Sequence, residues 1–286
     1  MKCSLVTGTG HLWTNTLMAQ LHLPPEIIDH ITDFLHDQPD TLRKCCLVSR
    51  SFIARTRKYL FKDIRFEWCL PKDFPKLEVW KETFPDPKES PARHARSLFV
   101  GCADIVTDED AKEGGWIESF SEIVRLELWS GFGGGPVANH SFHPFRVLSK
   151  VKHLRVYSTT IPPSELLKFI CSFPQLEDLD MPGGDAGANY TDGGEAIVWP
   201  PDSQFPPLTG TLVLQQSSPN YIKHLLLAVP GGLHFRKIIW KLHFPEHLEG
   251  VMAVVERCSD TLEYIDITRP IRGKSHPFSP CDRFGI

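Results

Sequence analysis

The sequence predicts a mixed α/β fold in which a three-helix N-terminal module precedes a short, irregular solenoid of strand-and-helix units. Two patterns carry this prediction: residues 21–64 hold amphipathic helical segments, and short strand-like pieces recur between residues 96 and 267. With 286 residues the chain has room for one large domain or two unequal ones. Residues 1–20 are predicted to be a flexible N-terminus.

The composition narrows the classes of function. The formal net charge of −4 gives no reason to expect a nucleic-acid partner. No apolar run approaches the roughly 18 residues of a membrane span, and the N-terminus lacks the apolar core and cleavage site of a secretory signal. The eight cysteines are scattered without metal-ligand spacing. We therefore expect an intracellular protein, cytoplasmic and/or nuclear, with no cofactor, no metal and no membrane contact.

The first predicted helix follows Pro25, which suits a first helical turn because its missing N–H costs nothing there. Pro39 disfavours helix at the residue before it, so the helix should end near Asp37. Its apolar face is formed by Ile27, Ile28, Ile31, Phe34 and Leu35. A helix of about a dozen residues is marginal in water unless such a face is covered.

A second helical segment starts at Asp40, a possible N-cap, and carries positive charge opposite its apolar side. Its apolar residues are Leu42, Cys45, Cys46, Val48, Phe52 and Ile53. A unit of about 45 residues without disulfides or metal is near the lower size limit for independent folding. Such a unit gains most stability by docking onto another protein or onto the neighbouring domain.

The order of three stretches, "LPPEIIDHITDFL", "DTLRKCCLVSRSF" and "YLFKDIRF", resembles an F-box in the form common among large families of mushroom-type fungi. The resemblance implies docking onto the Skp-family adaptor of a cullin–RING ubiquitin ligase. The residues implied in adaptor binding are Leu23, Pro24, Ile27, Ile28, Ile31, Leu35, Leu42, Leu47, Val48, Phe52, Leu60 and Phe61. Phe61 stands where the family often has Trp, and Gln38-Pro39 lengthen the first inter-helix loop. Because Phe keeps an apolar anchor, we expect binding to survive.

The alternative explanation of the same apolar stripe is self-packing, in which the helices fold against one another and the rest of the chain. Amphipathicity alone favours that explanation, whereas the ordered motif favours a partner. Which side chains hold the helices together and which face a partner is left open by the sequence.

Residues 65–95 are predicted to connect the helical module to the repeats, because much of this segment is rich in Pro, Lys and Glu. Apolar residues such as Leu77 and Trp80 indicate that part of it packs.

The repeated strand-like pieces have the form apolar-x-x-apolar-x-apolar. Their marker positions are Leu98, Leu126, Leu154, Leu179, Leu212, Ile238 and Ile265, with steps of 28, 28, 25, 33, 26 and 27 residues. This period and form are typical of a leucine-rich solenoid, in which each unit supplies a strand and a helical return. Residues 162–173, 218–229 and 245–261 have the helical apolar faces that such returns need. A doubly wound α/β sheet alternates the same elements and is the alternative.

The repeats are degenerate. The Asn or Cys that usually follows each strand is absent, with Thr159 the one plausible substitute. Glycine-rich stretches at 131–136 and 181–195 are predicted to be loop insertions. The tail, 268–286, contains no clear capping repeat, so either the chain is truncated relative to its relatives or the tail folds over the end.

The sequence points to a binding protein rather than an enzyme. "TGTGHL" lacks the third glycine of a nucleotide-binding turn, residues 104–113 lack the order of a calcium loop, and prolines break helical spacing in the histidine pairs at 140/143 and 243/247. We therefore expect residues 96–267 to select an unidentified protein client, with Trp129, Tyr157 and Trp240 as candidate anchors, since aromatic residues dominate interface hot spots. The alternative is a scaffold outside any ligase, in which the helical hairpin only caps the repeats.

Overall fold

The computed structural model describes residues 23–66, 77–101, 115–129, 142–157, 163–182, 205–215, 226–241 and 248–268. Across these ranges the chain is a mixed α/β protein, with a helical N-terminal part and an eight-stranded parallel sheet. Two compact units, 1–56 and 57–286, divide within the third helix. None of the helices seen in these ranges combines the length and apolarity required to cross a bilayer.

Three helices form the N-terminal part: α1 (Pro25–Phe34), α2 (Pro39–Val48) and α3 (Arg50–Leu60). The first helix starts at Pro25 as predicted but ends three residues before Asp37, in a turn at 35–37. Proline is again the first helical residue of α2, so Gln38 rather than Asp40 occupies the N-cap position.

Ser49 divides the second predicted helical segment into α2 and α3. Its backbone is extended, with φ −153° and ψ 143°. The Ser49 hydroxyl accepts the Ser51 N–H at 3.2 Å, which satisfies one of the free donors at the start of α3. The result is the three short helices that the sequence predicts between residues 21 and 64.

Eight strands form one sheet in which every neighbouring pair is parallel and the spatial order follows the chain order. They are β1 (Asp63–Phe66), β2 (Ser97–Gly101), β3 (Arg125–Trp129), β4 (His153–Tyr157), β5 (Asp178–Pro182), β6 (Thr211–Gln215), β7 (Lys237–Lys241) and β8 (Tyr264–Thr268). A doubly wound sheet reverses its strand order at a switch point. This sheet does not reverse, so that alternative is wrong.

The seven marker residues occupy one aligned row across β2–β8. The first six are at most 2% exposed, whereas Ile265 on β8 is 42% exposed. A register slip of one residue would turn every buried side chain to the other face. The need to bury this row therefore fixes the pairing of each strand with the next. The spacing of the marker residues in the sequence reflects that pairing.

The sheet begins before the residue at which the repeat pattern starts. Ile64 of β1 pairs in register with Leu98 of β2, so residues 63–66 are a strand rather than the end of the helical module. Residues from the predicted connecting segment also enter the core: Leu77 and Trp80 of α4 (Leu77–Thr83) are 2% and 7% exposed.

A recurring pair of backbone hydrogen bonds joins successive repeats at the start of the strands. In most units one carbonyl accepts two N–H groups from the next unit, at 2.7–3.2 Å. The carbonyls are those of Lys62, Arg96, Val124, Lys152, Gly210 and Arg236. This link needs only backbone atoms, so it survives the degeneration of the side-chain pattern.

Side-chain charges also connect successive units along the same edge. Glu122 lies between Arg96, at 2.8 Å, and Lys150. The hydrogen bond from Lys150 is the main reason that the pKa of Glu122 lies below its usual range. Lys152 pairs with Glu177 at 2.7 Å one unit further along.

The segments that connect successive strands contain an α-helix in some repeats and a short 3-10 helix in others. Besides α4, they are α5 (Pro163–Ile170), α6 (Leu248–Arg257) and 3-10 turns at Pro91–His94, Glu118–Phe120 and His143–Val147. In α6 the buried residues include Val251 and Val254. Leu248 and Met252, which the spacing placed on the apolar face, are 49% and 54% exposed.

Several predicted features lie outside the described residues: the N-terminus 1–20, Thr159, the insertion at 131–136, most of 218–229 and the tail from 269 onward. The predicted insertion 181–195 is described only at its start. There Met181 is a buried residue of β5 rather than part of a loop.

The described cysteines 45, 46, 171 and 258 are free thiols. Burial raises the pKa of Cys171 to about 12. At pH 8 we expect iodoacetamide to modify Cys171 about a thousandfold more slowly in the folded protein than in urea, because so little thiolate forms. Peptide mass spectrometry of timed aliquots measures this rate, and equal rates in both conditions would contradict the burial.

Candidate functional site

Each helix of the N-terminal part buries one large apolar side chain. Ile28 of α1, Leu42 of α2 and Phe52 of α3 are 7%, 1% and 9% exposed. The F-box resemblance implied all three in adaptor binding, and the structure places all three side chains in buried positions. The sequence could not separate them from their neighbours, because a wide amphipathic stripe contains both kinds of residue.

Polar contacts tie α3 to the other two helices. Arg55 donates from Nε to Asp33 Oδ1 at 3.0 Å and from a terminal nitrogen to Oδ2 at 2.8 Å. Cys46 Sγ lies 2.8 Å from the hydroxyl of Thr56, whose side chain is fully buried. Asp33 and Arg55 are 22 residues apart, too distant for helical spacing to reveal the pair.

Five other large apolar side chains of this part are exposed to solvent. The exposed apolar set, as we name it, comprises Leu23 (45% exposed), Ile27 (47%), Phe34 (79%), Leu47 (87%) and Val48 (79%). Four of these were predicted adaptor contacts, and Phe34 is an addition that the helical spacing had placed on the same face. Where exposed apolar side chains form one contiguous patch of more than a few hundred Å², they mark an interaction site.

Most of the other predicted adaptor residues are neither fully buried nor fully exposed. Pro24 is exposed, whereas Ile31 and Leu35 are half-buried. Leu60 is also half-buried. The ring of Phe61 packs edge-on against Trp80, with centroids 5.9 Å apart, and so contributes to the core of the second unit.

The open face of the sheet, meaning the face turned away from the core, carries two of the three predicted client anchors. Trp129 and Tyr157 end neighbouring strands and stack with centroids 5.2 Å apart, and Phe99 meets Trp129 edge-on at 5.6 Å. The Trp129 indole N–H donates to Glu127 at 2.8 Å, which fixes the ring. The third, Trp240, is fully buried in the core, so its ring is not presented on the open face.

Charges on the open face are paired with one another. Arg155 lies between Glu127, at 3.3 Å, and Asp180, at 3.1 Å. His153 contacts Asp178 two residues earlier on the same two strands. The face therefore presents aromatic rings among neutralised charges rather than a field of one sign.

No group of three His, Cys, Asp or Glu side chains within the described ranges is placed to hold a metal ion. His143 is an exposed residue of a 3-10 turn, while His140, His243 and His247 lie outside those ranges, as do "TGTGHL" and residues 104–113.

No protein-family model matches this chain, and no curated protein gives a significant match. The case for a function consequently depends on the geometry of the residues themselves.

Proposed function

We propose that this chain is the substrate-recognition subunit of an SCF-type cullin–RING ubiquitin ligase. Its F-box-like module, residues 21–64, binds a Skp-family adaptor, and its leucine-rich-repeat-like solenoid binds a protein client. The single observation that carries the proposal is the exposed apolar set on a small three-helix unit.

The adaptor contacts are assigned by exposure. Leu23, Ile27, Leu47 and Val48 are both matched by the F-box resemblance and exposed, and Phe34 extends the surface. Burying a large apolar side chain contributes roughly 1.5–3 kcal/mol. A partner that covers several of them gains this free energy, from which the cost of association is subtracted.

Three observations support the solenoid assignment: strand order follows chain order, the marker residues align, and the carbonyl link recurs from unit to unit. The stacked Trp129 and Tyr157 give the open face an aromatic centre for a client. In this proposal the chain performs no covalent step. It raises the effective concentration of a ubiquitin-charged enzyme near the client's lysines.

Co-expression with a Skp-family adaptor tests the proposal. Size-exclusion chromatography with light scattering is expected to show one stable complex with the summed mass of one adaptor and one copy of this chain. If the chain elutes alone while circular dichroism shows that it is folded, the ligase role is refuted. The scaffold alternative would then be preferred.

A further inference from the structure

A pocket of about 430 Å³ lies in the second unit, next to the segment between α4 and β2. Its volume is within the 300–1,000 Å³ typical of small-molecule sites. The lining residues are Arg57, Thr83, Phe84, Pro85, Asp86, Lys88, Glu89 and Arg93. None of the side chains assigned above to the adaptor or client surface lines this pocket.

Three cationic side chains meet at the pocket from three different segments. Arg57 comes from α3, Lys88 from the turn after α4, and Arg93 from the 3-10 turn Pro91–His94. Among the described residues none of the three has an ion-pair partner. Three unpaired cations at one concave surface favour an anionic ligand.

The pKa of a neighbouring histidine also reflects the positive charge at this pocket. The pKa of His94 lies below its usual value, first because the ring is partly buried and then because Arg93, Arg57 and Lys58 repel its protonated form. Lys58, which does not line the pocket, thus adds a fourth positive charge to this region.

Two carboxylates also line the pocket. Asp86 is engaged in its own turn, where its Oδ1 accepts the backbone N–H of Lys88 at 2.9 Å. Glu89 is exposed and opposes an anion directly. With three cations and two carboxylates in the lining, the balance stays positive.

One wall of the pocket is apolar and well supported. The half-buried ring of Phe84 packs against Trp80 at 4.8 Å and Phe61 at 6.5 Å, and Pro85 follows it in the chain. A bare inorganic anion would leave this wall unused, whereas a ligand with an organic body would cover it.

We propose that this pocket binds a small organic phosphate, with the phosphate group between Arg57 and Arg93 and the organic body against Phe84 and Pro85. The planar guanidinium group donates two parallel hydrogen bonds to phosphate oxygens, which makes arginine well suited to this ligand.

Isothermal titration calorimetry of the full chain with phenyl phosphate tests this site. Phenyl phosphate is expected to bind more tightly than inorganic phosphate, and phenol is expected not to bind. Arg57→Gln and Arg93→Gln should each weaken binding by at least about tenfold. Arg257→Gln, which changes an exposed arginine on α6 away from the pocket, should leave binding unchanged.

A gain of affinity separates binding effects from folding effects. Glu89→Gln removes an exposed opposing charge, so it is expected to tighten phenyl phosphate binding severalfold, a result that misfolding could not produce. Absence of heat with millimolar phenyl phosphate, or equal affinity in wild type and Arg93→Gln, would overturn the site. Equal affinity for inorganic and phenyl phosphate would overturn the role of the Phe84 wall.

Discussion

Leu47→Asp combined with Val48→Asp is expected to abolish binding of a Skp-family adaptor while helical content stays unchanged. These residues end α2 and are 87% and 79% exposed, so the new carboxylates remain in water in the isolated chain. In a complex they would be buried without partners. Loss of two apolar contacts costs about 3–6 kcal/mol, or roughly 10²–10⁴-fold in Kd.

The matched control is Val147→Asp, which places the same charge at another exposed apolar residue, 43% exposed and outside the helical module. Titration calorimetry with purified adaptor gives the affinities, and circular dichroism at 222 nm checks the fold. Ile28→Asp is unsuitable here, because that side chain is only 7% exposed and its loss would test folding instead. Unchanged adaptor affinity in a folded double variant would refute the assigned surface.

Gly210→Ala is expected to destabilise the second unit by about 1–3 kcal/mol. A Cβ atom at this position would lie 2.1 Å from Asp178 Oδ1 and 3.1 Å from the backbone oxygen of Glu177. The carboxylate is not free to swing aside, because it accepts the Thr211 N–H and contacts His153. The crowding also reaches the backbone, where the Gly210 N–H donates to Glu177 at 3.0 Å.

Thermal unfolding measures this effect, at roughly 2–4 °C of Tm per kcal/mol for a unit of this size. The double-variant cycle with Asp178→Ala identifies its cause. If the carboxylate is the main obstacle, Gly210→Ala costs less in the Asp178→Ala background than in wild type. Additive costs would show that the steric account is wrong.

The spacing of the strands could be predicted because one physical constraint controls it. Residues such as Leu126 and Leu154 must lie side by side in a parallel sheet and must both face the core, so their separation in sequence equals the length of one unit. β1 was missed because it is only four residues long and Ile64 lies 34 residues before Leu98, outside the usual step.

The alternation of side chains along a strand also explains why Trp129 lies on the open face and Trp240 in the core. Trp129 lies three residues after its marker Leu126 and therefore faces away from the core, whereas Trp240 lies two residues after Ile238 and faces the same way as that marker. This signal was available in the sequence. The contrast between Ile27, 47% exposed, and Ile28, 7% exposed, was not, because tertiary packing decides which part of a wide stripe is covered.

The strict correspondence between chain order and spatial order has a consequence for how this sheet comes apart. Since each strand pairs only with the strands before and after it, cooperativity passes from neighbour to neighbour rather than through one shared nucleus. Within the described residues β8 is paired on one side only, and its marker Ile265 is the least covered of the row. We therefore expect opening to begin as fraying at β8, whose amide hydrogens should exchange with solvent before those of the interior strands.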